Sequence, residues 1–278
     1  MAINATTPGN QAALLALNDL ANTQNELNRT QSIVSSQLAI SEPRDNPALW
    51  SIAQGQQQQV SALDTVTASL NRATSLSDVA TAAGQTVLNL LNQLKQDALS
   101  ATSTSLDTTS RQAYASDFQS VMGRIASTVN SAGFDGANLL DGSSTGNQNV
   151  LGSADGSVLL TLTGTNLSLG GSVITVDSTY SLGTASAATA ALSAINSSLS
   201  NVTTAMASLG TQSSQLSAHA TFIGQLSDSL QTSVGDLINA DMGAESAKLQ
   251  ALQVQQQLGV QSVSIANQAP SVILSLFR

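Results

Sequence analysis

The sequence predicts a mainly α-helical fold: a long antiparallel coiled-coil helical rod with paired terminal helices and a small β insert. Three observations lead to this prediction. Apolar residues recur at alternating spacings of three and four over long stretches, which is the spacing of a coiled-coil seam. Residues 48–269 contain no proline, so long helices are permitted there. Within that interval, residues 134–183 are dense in glycine and lose the helical spacing, which predicts the insert.

The composition excludes several classes of function. The 278-residue chain carries a net charge of −9, and charged residues make up only 9% of it. Ser, Thr, Asn and Gln together number 114, so the surface is mostly neutral and polar. Eight Lys and Arg against 17 Asp and Glu leave no basic surface for nucleic acid or anionic lipid. The absence of cysteine excludes disulfides and thiolate metal sites, and no run reaches the ~18 apolar residues of a membrane span.

The first helix is predicted over residues 10–40. Gln24 and Gln31 interrupt its apolar seam, where their amides can fix the register of a paired helix. The helix stops before Pro43. Pro47 suits the first turn of the next helix, with Asn46 as its cap. The apolar members of the seam are Leu20, Leu27, Val34 and Leu38.

A second seam starts at Ile52 and predicts a helix from about residue 48 to 100, roughly 75 Å long. A helix of that length needs a partner along its whole course. Asp107 is then placed to cap a shorter amphipathic helix that ends near Gly133. The expected core residues of the long helix are Leu63, Val66, Leu70, Val87, Leu91 and Leu94.

The insert is predicted to form β structure. Asp141-Gly142 and Asp155-Gly156 are turn signals. Residues 158–162 and 172–176 are expected to be strands because they are rich in β-branched and leucine residues.

The C-terminal third is predicted to be helical again, with a register shift near Asp241 and an end at Pro270. The chain plan is therefore roughly palindromic, so the two long helices can pair antiparallel and the two terminal segments can meet at one end. The expected core residues of the second long helix are Leu199, Val202, Leu209, Leu216, Ile223 and Leu230.

Several motifs and this layout resemble bacterial flagellin, the subunit of the flagellar filament, and most closely the short flagellins of alphaproteobacterial type. The most specific motifs lie at residues 241–250, 257–270 and 273–278. At the other end, Ser35-Ser36 followed by residues 44–50 resembles the family's turn between terminal helix and rod. The junction residues implied there are Arg44, Asp45, Asn46 and Trp50.

The resemblance implies a domain plan. Residues 1–42 and 239–278 would form the paired terminal helices of the inner tube, residues 43–142 and 185–238 the rod around them, and residues 143–184 a variable insert on the outer surface. The terminal seams would form the subunit interface, and their residues are Leu20, Leu27, Val34, Leu38, Leu249, Leu252, Val263, Ile273, Leu276 and Phe277.

The resemblance also implies a structural function: polymerisation into the bacterial flagellar filament for swimming motility. The alternative is a flagellar hook–filament junction-type protein. The implied partners are other copies of the chain, other flagellins, an export chaperone and the filament cap. The chain would leave the cell unfolded through the flagellar type III apparatus and reside in the extracellular filament. The Ser- and Thr-rich insert and its flanks are hypothesised to carry O-linked sugars.

No catalytic, metal or cofactor site is predicted. His219 is the only histidine and has no partners at ligand spacing, so a structural role is favoured. Asp241 and Glu245 lie one helical turn apart, but Lys248 beside them favours a surface ion pair over acid–base chemistry.

Overall fold

The computed structural model describes residues 8–143 and 148–276, with side chains described over 11–143 and 148–266. Five helices dominate these residues, which confirms the mainly α-helical prediction. The elements in chain order are α1 (Pro8–Ser36), α2 (Pro47–Ala101), α3 (Thr108–Ser131), β1 (Gly133–Phe134), β2 (Ala137–Asn138), β3 (Gln148–Leu151), β4 (Leu159–Leu162), α4 (Ala185–Ile238) and α5 (Met242–Leu276).

The chain divides into two compact units. The terminal unit comprises residues 1–58 and 229–278, and the central unit comprises residues 59–228. Helices α2 and α4 contribute residues to both units, so the division falls inside them rather than at the breaks that precede α2 and follow α4.

The core of the central unit is built from the seams of α2 and α4. Gly84 on α2 faces Met206 on α4, which shows the two helices side by side at that level. Most of the predicted core residues are buried: Leu63, Val66, Leu70, Val87, Leu91, Leu94, Val202, Leu209, Leu216 and Ile223. Leu199 is half-buried, and Leu230 is half-buried within the terminal unit.

The cap of α3 forms as predicted. The Asp107 carboxylate accepts hydrogen bonds from the backbone N–H groups of Thr109 and Ser110, at 2.8 and 2.9 Å. These bonds satisfy donors that have no partner within the helix. They also hold the pKa of Asp107 below its ordinary value.

The start of the α2 seam lies one position later than predicted. Ile52 is 51% exposed, whereas Ala53 is buried, and Val60 rather than Gln59 is buried a little further on. Two neighbouring lines of residues along a helix both fit a spacing of three and four, so the sequence alone did not show which of the two is buried.

Two small antiparallel hairpins fill the insert and the region before it. β1 pairs with β2, and β3 pairs with β4 with Val150 opposite Leu160. Gly142 and Gly156 both adopt positive φ, at 79° and 72°, which confirms the two turn signals. The β4 strand matches the predicted strand at 158–162, while β3 was not predicted.

The predicted strand at residues 172–176 is wrong. Only one isolated bridge forms there, between Leu169 and Ile174. The backbone N–H of Thr175 donates instead to the Ser198 hydroxyl at 3.0 Å, and the Val173 carbonyl accepts from the Asn201 amide at 3.2 Å. Polar side chains of α4 thus take the place of a neighbouring strand, because they form hydrogen bonds with the backbone N–H and C=O groups of this segment.

The β3–β4 hairpin is held by both long helices. The N–H of Leu151 donates to the Ser69 hydroxyl on α2, and the N–H of Thr163 donates to the Gln212 side chain on α4. His219 on α4 lies 2.6 Å from the Gly152 carbonyl through its Nε2, which must carry the proton because a carbonyl oxygen only accepts. The structural role expected for His219 agrees with this contact.

Candidate functional site: the paired terminal helices and their junction

Helices α1 and α5 pack against each other within the terminal unit. Gly259 lies against Leu20, and the Gln256 amide donates to the Gln24 side-chain oxygen at 2.5 Å. Because the residue number rises on one helix as it falls on the other, the pair is antiparallel. Of the two glutamines expected to fix the register of this seam, Gln24 bonds to the partner helix, whereas Gln31 is exposed.

The predicted interface residues lie largely between these two helices of the same chain. Leu27 and Leu252 are buried, at 5% and 4% exposure. Half-buried positions are Leu20, Val34, Leu38, Leu249 and Val263. The side chains of Ile273 and Leu276, and the whole of Phe277, lie outside the described residues. The assignment of these seams to contacts between subunits therefore stays a prediction.

A second set of apolar side chains is exposed on the same two helices, and the sequence seams did not identify it. Its members are more than half exposed, although each is a large aliphatic residue. Exposed apolar groups that lie together mark an interaction surface, and Val254, Leu258 and Ile265 share one side of α5 at helical spacing. We call this set the outer terminal surface, and its residues are Leu14, Leu15, Leu17, Val254, Leu258, Val260 and Ile265.

The junction between helices is built from two short connections that bond to each other. The backbone N–H of Ala39 donates to the Ile238 carbonyl at 2.7 Å, and the N–H of Ala240 donates to the Gln37 carbonyl at 3.0 Å. Gln37 adopts φ 62° to end α1, a left-handed conformation that is unusual for a residue other than glycine. The two terminal segments thus meet at the junction, as the palindromic plan predicted.

Local caps fix the junction residues. The Asp45 carboxylate accepts from the backbone N–H groups of Glu42 and Ser41, at 3.1 and 3.2 Å, and these bonds hold its pKa below the ordinary value. The Asn46 side chain accepts from the N–H of Leu49 at 3.1 Å and caps α2 as predicted. Arg44 forms an exposed ion pair with Glu42.

The other residues near the junction lie at the start of α2, just before α5 and in its first two turns. Trp50 is half-buried at the start of α2. Asp241 caps α5, since its carboxylate accepts from the N–H groups of Gly243 and Ala244 at 2.9 and 3.1 Å. The expected ion pair between Glu245 and Lys248 does not form, and one buried carboxylate oxygen of Glu245 has no hydrogen-bond partner.

Among the residues described, no group of three or more His, Asp or Glu side chains could hold a metal ion. None of the described helices is long and apolar enough to cross a membrane. Paired helices from the two ends of the chain, each with exposed apolar side chains, are the architecture of helical subunits that assemble with one another.

Comparison with known proteins identifies the family. Residues 9–145 match the bacterial flagellin N-terminal helical region, and residues 192–277 match the bacterial flagellin C-terminal helical region. Flagellin FljM of Caulobacter vibrioides is 43% identical over 278 residues, which cover 100% of both chains. A flagellin of Brucella melitensis is 37% identical over 97% of this chain and 98% of its own. The chain therefore belongs to the bacterial flagellin family.

The fold agrees with a solved structure. A Vibrio parahaemolyticus structure assigned as a flagellar hook-associated protein matches with a TM-score of 0.59 at 14% identity, covering 70% of this chain and 100% of that one. At that identity the likeness shows the fold alone, so it does not favour the junction-type alternative. The chain is a structural protein of the flagellar filament and not an enzyme, as predicted, and self-polymerisation follows from its family.

Proposed function

We propose that the terminal unit drives polymerisation of this flagellin through its outer terminal surface. The observation that carries the proposal is the exposure of Leu14, Leu258 and Ile265, at 65%, 56% and 69%, on helices whose facing seam is already packed. Burying such groups against other copies of the chain would supply the free energy of assembly.

The predicted domain plan follows from this proposal. Residues 1–42 and 239–278 would line the inner tube, where apolar surfaces of neighbouring copies cover one another. Residues 43–142 and 185–238 would form the surrounding rod. The insert, residues 143–184, would face outward, where its Ser and Thr hydroxyls meet water or carry O-linked sugars. An intact-mass measurement on native filaments that equals the mass of the bare chain would exclude the sugars.

The finer partners belong to the same proposal. Before assembly, Leu258 and Ile265 would meet water, which favours aggregation. An export chaperone that covers α5, and a filament cap that receives the subunit at the growing tip, would limit that exposure. Export through the flagellar type III apparatus places the polymer outside the cell.

The test is a double variant of the outer terminal surface, Leu258→Ser with Ile265→Ser. A fully buried Leu or Ile contributes about 1.5–3 kcal/mol, and rather more than half of each side chain is still exposed here. Losing both should weaken assembly by about 2–3 kcal/mol, which raises the critical concentration about 30- to 150-fold.

The control is Gln257→Ser with Gln261→Ser, since both glutamines are exposed on the same helix and carry little apolar area. Salt-induced assembly followed by sedimentation and electron microscopy gives the critical concentration. Circular dichroism of the monomer should be unchanged in both variants. Filaments of the apolar-to-serine variant at the wild-type critical concentration would show that this surface does not drive assembly.

A further inference from the structure

The central unit carries two surfaces that no contact among the described residues fills. One is a cavity of about 280 Å³ between α2 and the hairpins. Phe134 lies at it, 37% exposed, beside Arg72, whose guanidinium is 3.2 Å from the Asp135 carboxylate. The ion pair leaves the cavity without net charge. Its remaining lining comes from α2, β2, β3 and β4.

The other surface is an uncharged apolar patch on α4 and on the connection that leads into β4. Phe222 and Leu226 lie one helical turn apart and are 54% and 37% exposed. His219 joins the patch to the hairpin, because its ring lies 6.0 Å from that of Phe222 while its Nε2 bonds the Gly152 carbonyl. The exposed Val158 side chain, just before β4, lies beside Gly152, so the patch continues onto the connection between β3 and β4.

The two surfaces share no residue, but each of them carries one exposed phenylalanine. Phe222 and Phe134 are the two exposed aromatic side chains among the residues whose side chains are described. One projects from the patch and the other lies at the cavity. A cavity bordered by a phenyl ring and a guanidinium suits an aromatic guest, because rings pair with rings and with arginine.

We propose that Phe222 of one subunit inserts into the Phe134 cavity of a neighbouring subunit. This inference rests on the polymerisation of the chain. A polymer that does not close on itself needs two different complementary surfaces on each subunit, and the patch and the cavity are such a pair. Neither surface carries net charge, so their approach incurs no like-charge repulsion.

The direct test places the photo-reactive analogue p-benzoylphenylalanine at position 222 of the full chain. Filaments are assembled from a mixture of isotopically labelled and unlabelled subunits, irradiated, and mapped by mass spectrometry. The expected result is cross-links between different copies that fall on residues 134–137, on 148–150 or on Arg72. The same analogue at Leu99, an exposed position on α2 outside both surfaces, should not label those segments.

A second measurement uses a double-mutant cycle on the critical concentration, with Phe222→Ala, Phe134→Ala and the double variant. Each single variant should raise the critical concentration, and the double variant should raise it no further than the larger single effect. Circular dichroism and the melting temperature of each monomer check that the variants retain the fold, and a variant that does not is replaced by Phe→Leu at the same position.

The outcomes separate this inference from the proposed function. Filaments whose cross-links fall on other segments, or only within one copy, would overturn the inference while leaving polymerisation intact. Additive effects in the cycle would overturn it as well. If the unmodified chain formed no filaments, polymerisation itself would fail and the inference with it.

Discussion

Truncation of Leu70 tests whether the seam between the long helices supplies the stability of the central unit. Leu70 lies on α2 and is fully buried, at 0% exposure, whereas Leu99 on the same helix is 57% exposed. The substitution to alanine is chemically identical at both positions and slightly favours helix formation at each. Any difference between the two variants therefore reports burial.

The magnitude follows from the structure. Leu70→Ala removes three buried carbons, which corresponds to about 2.4 kcal/mol at about 0.8 kcal/mol each. Incomplete collapse of the resulting cavity brings the expected loss to about 3–4 kcal/mol, within the usual range for Leu→Ala in a core. For a unit of roughly 170 residues, each kcal/mol lowers the melting temperature by about 2–4 °C. Leu70→Ala should thus melt about 6–16 °C lower, and Leu99→Ala within about 2 °C of wild type.

Thermal unfolding of the monomeric protein, followed by circular dichroism at 222 nm, gives both midpoints. Urea unfolding supplies the free energies independently. Equal shifts in the two variants, or a loss below about 1 kcal/mol for Leu70→Ala, would refute the argument that this seam is the core.

Three further outcomes are expected. Hydrogen bonds from the Ser153 and Ser157 hydroxyls lower the pKa of Asp155 from 3.8 to about 2. The contribution of these bonds to the stability of the folded chain is therefore complete above about pH 4 and is lost as the pH falls towards 2. Asp155→Ala should therefore flatten the melting temperature against pH in that window. Gly259→Val should loosen the terminal pair by about 1–3 kcal/mol, since an added Cβ would lie 3.1 Å from Leu20. Faster hydrogen exchange in α1 and α5 would report this loosening. Gln37→Gly should stabilise the terminal unit by up to about 1 kcal/mol in urea unfolding, because glycine relieves most of the left-handed strain.

Local signals determined the starts of α2 and α3 well, but the helix end predicted at Pro270 is wrong, because α5 continues through that residue to Leu276. Near Asp241 the sequence predicted a register shift, whereas the structure has a helix break there with Asp241 as the cap of α5. Side-chain caps at Asn46 and Asp107 lie where the sequence predicted helix starts, because a cap bonds to N–H groups only two or three residues away. The two Asp-Gly turns formed for the same reason. Such interactions depend on neighbours in the chain and need no tertiary partner.

Two features depended on packing partners distant in sequence: whether a segment forms a strand, and which face of a helix is buried. Residues 172–176 have strand-forming side chains, yet Ser198 and Asn201 on α4 bond to their backbone instead. Likewise, whether Ile52 or Ala53 faces inward depends on where the packing partner of α2 lies. Propensity and periodicity do not contain that information.

The sequence by itself determined the helical class, the order of the helices and the pairing of the two terminal helices, because these follow from periodicity, caps and the absence of proline. Its motifs also identified the flagellin family. Only the tertiary structure decided which apolar side chains are buried by contacts within the chain and which stay exposed. Leu27 and Leu252 are covered, while Leu258 and Phe222 are not. The physical reason is that an apolar residue looks the same in sequence whether its partner is its own chain or another subunit.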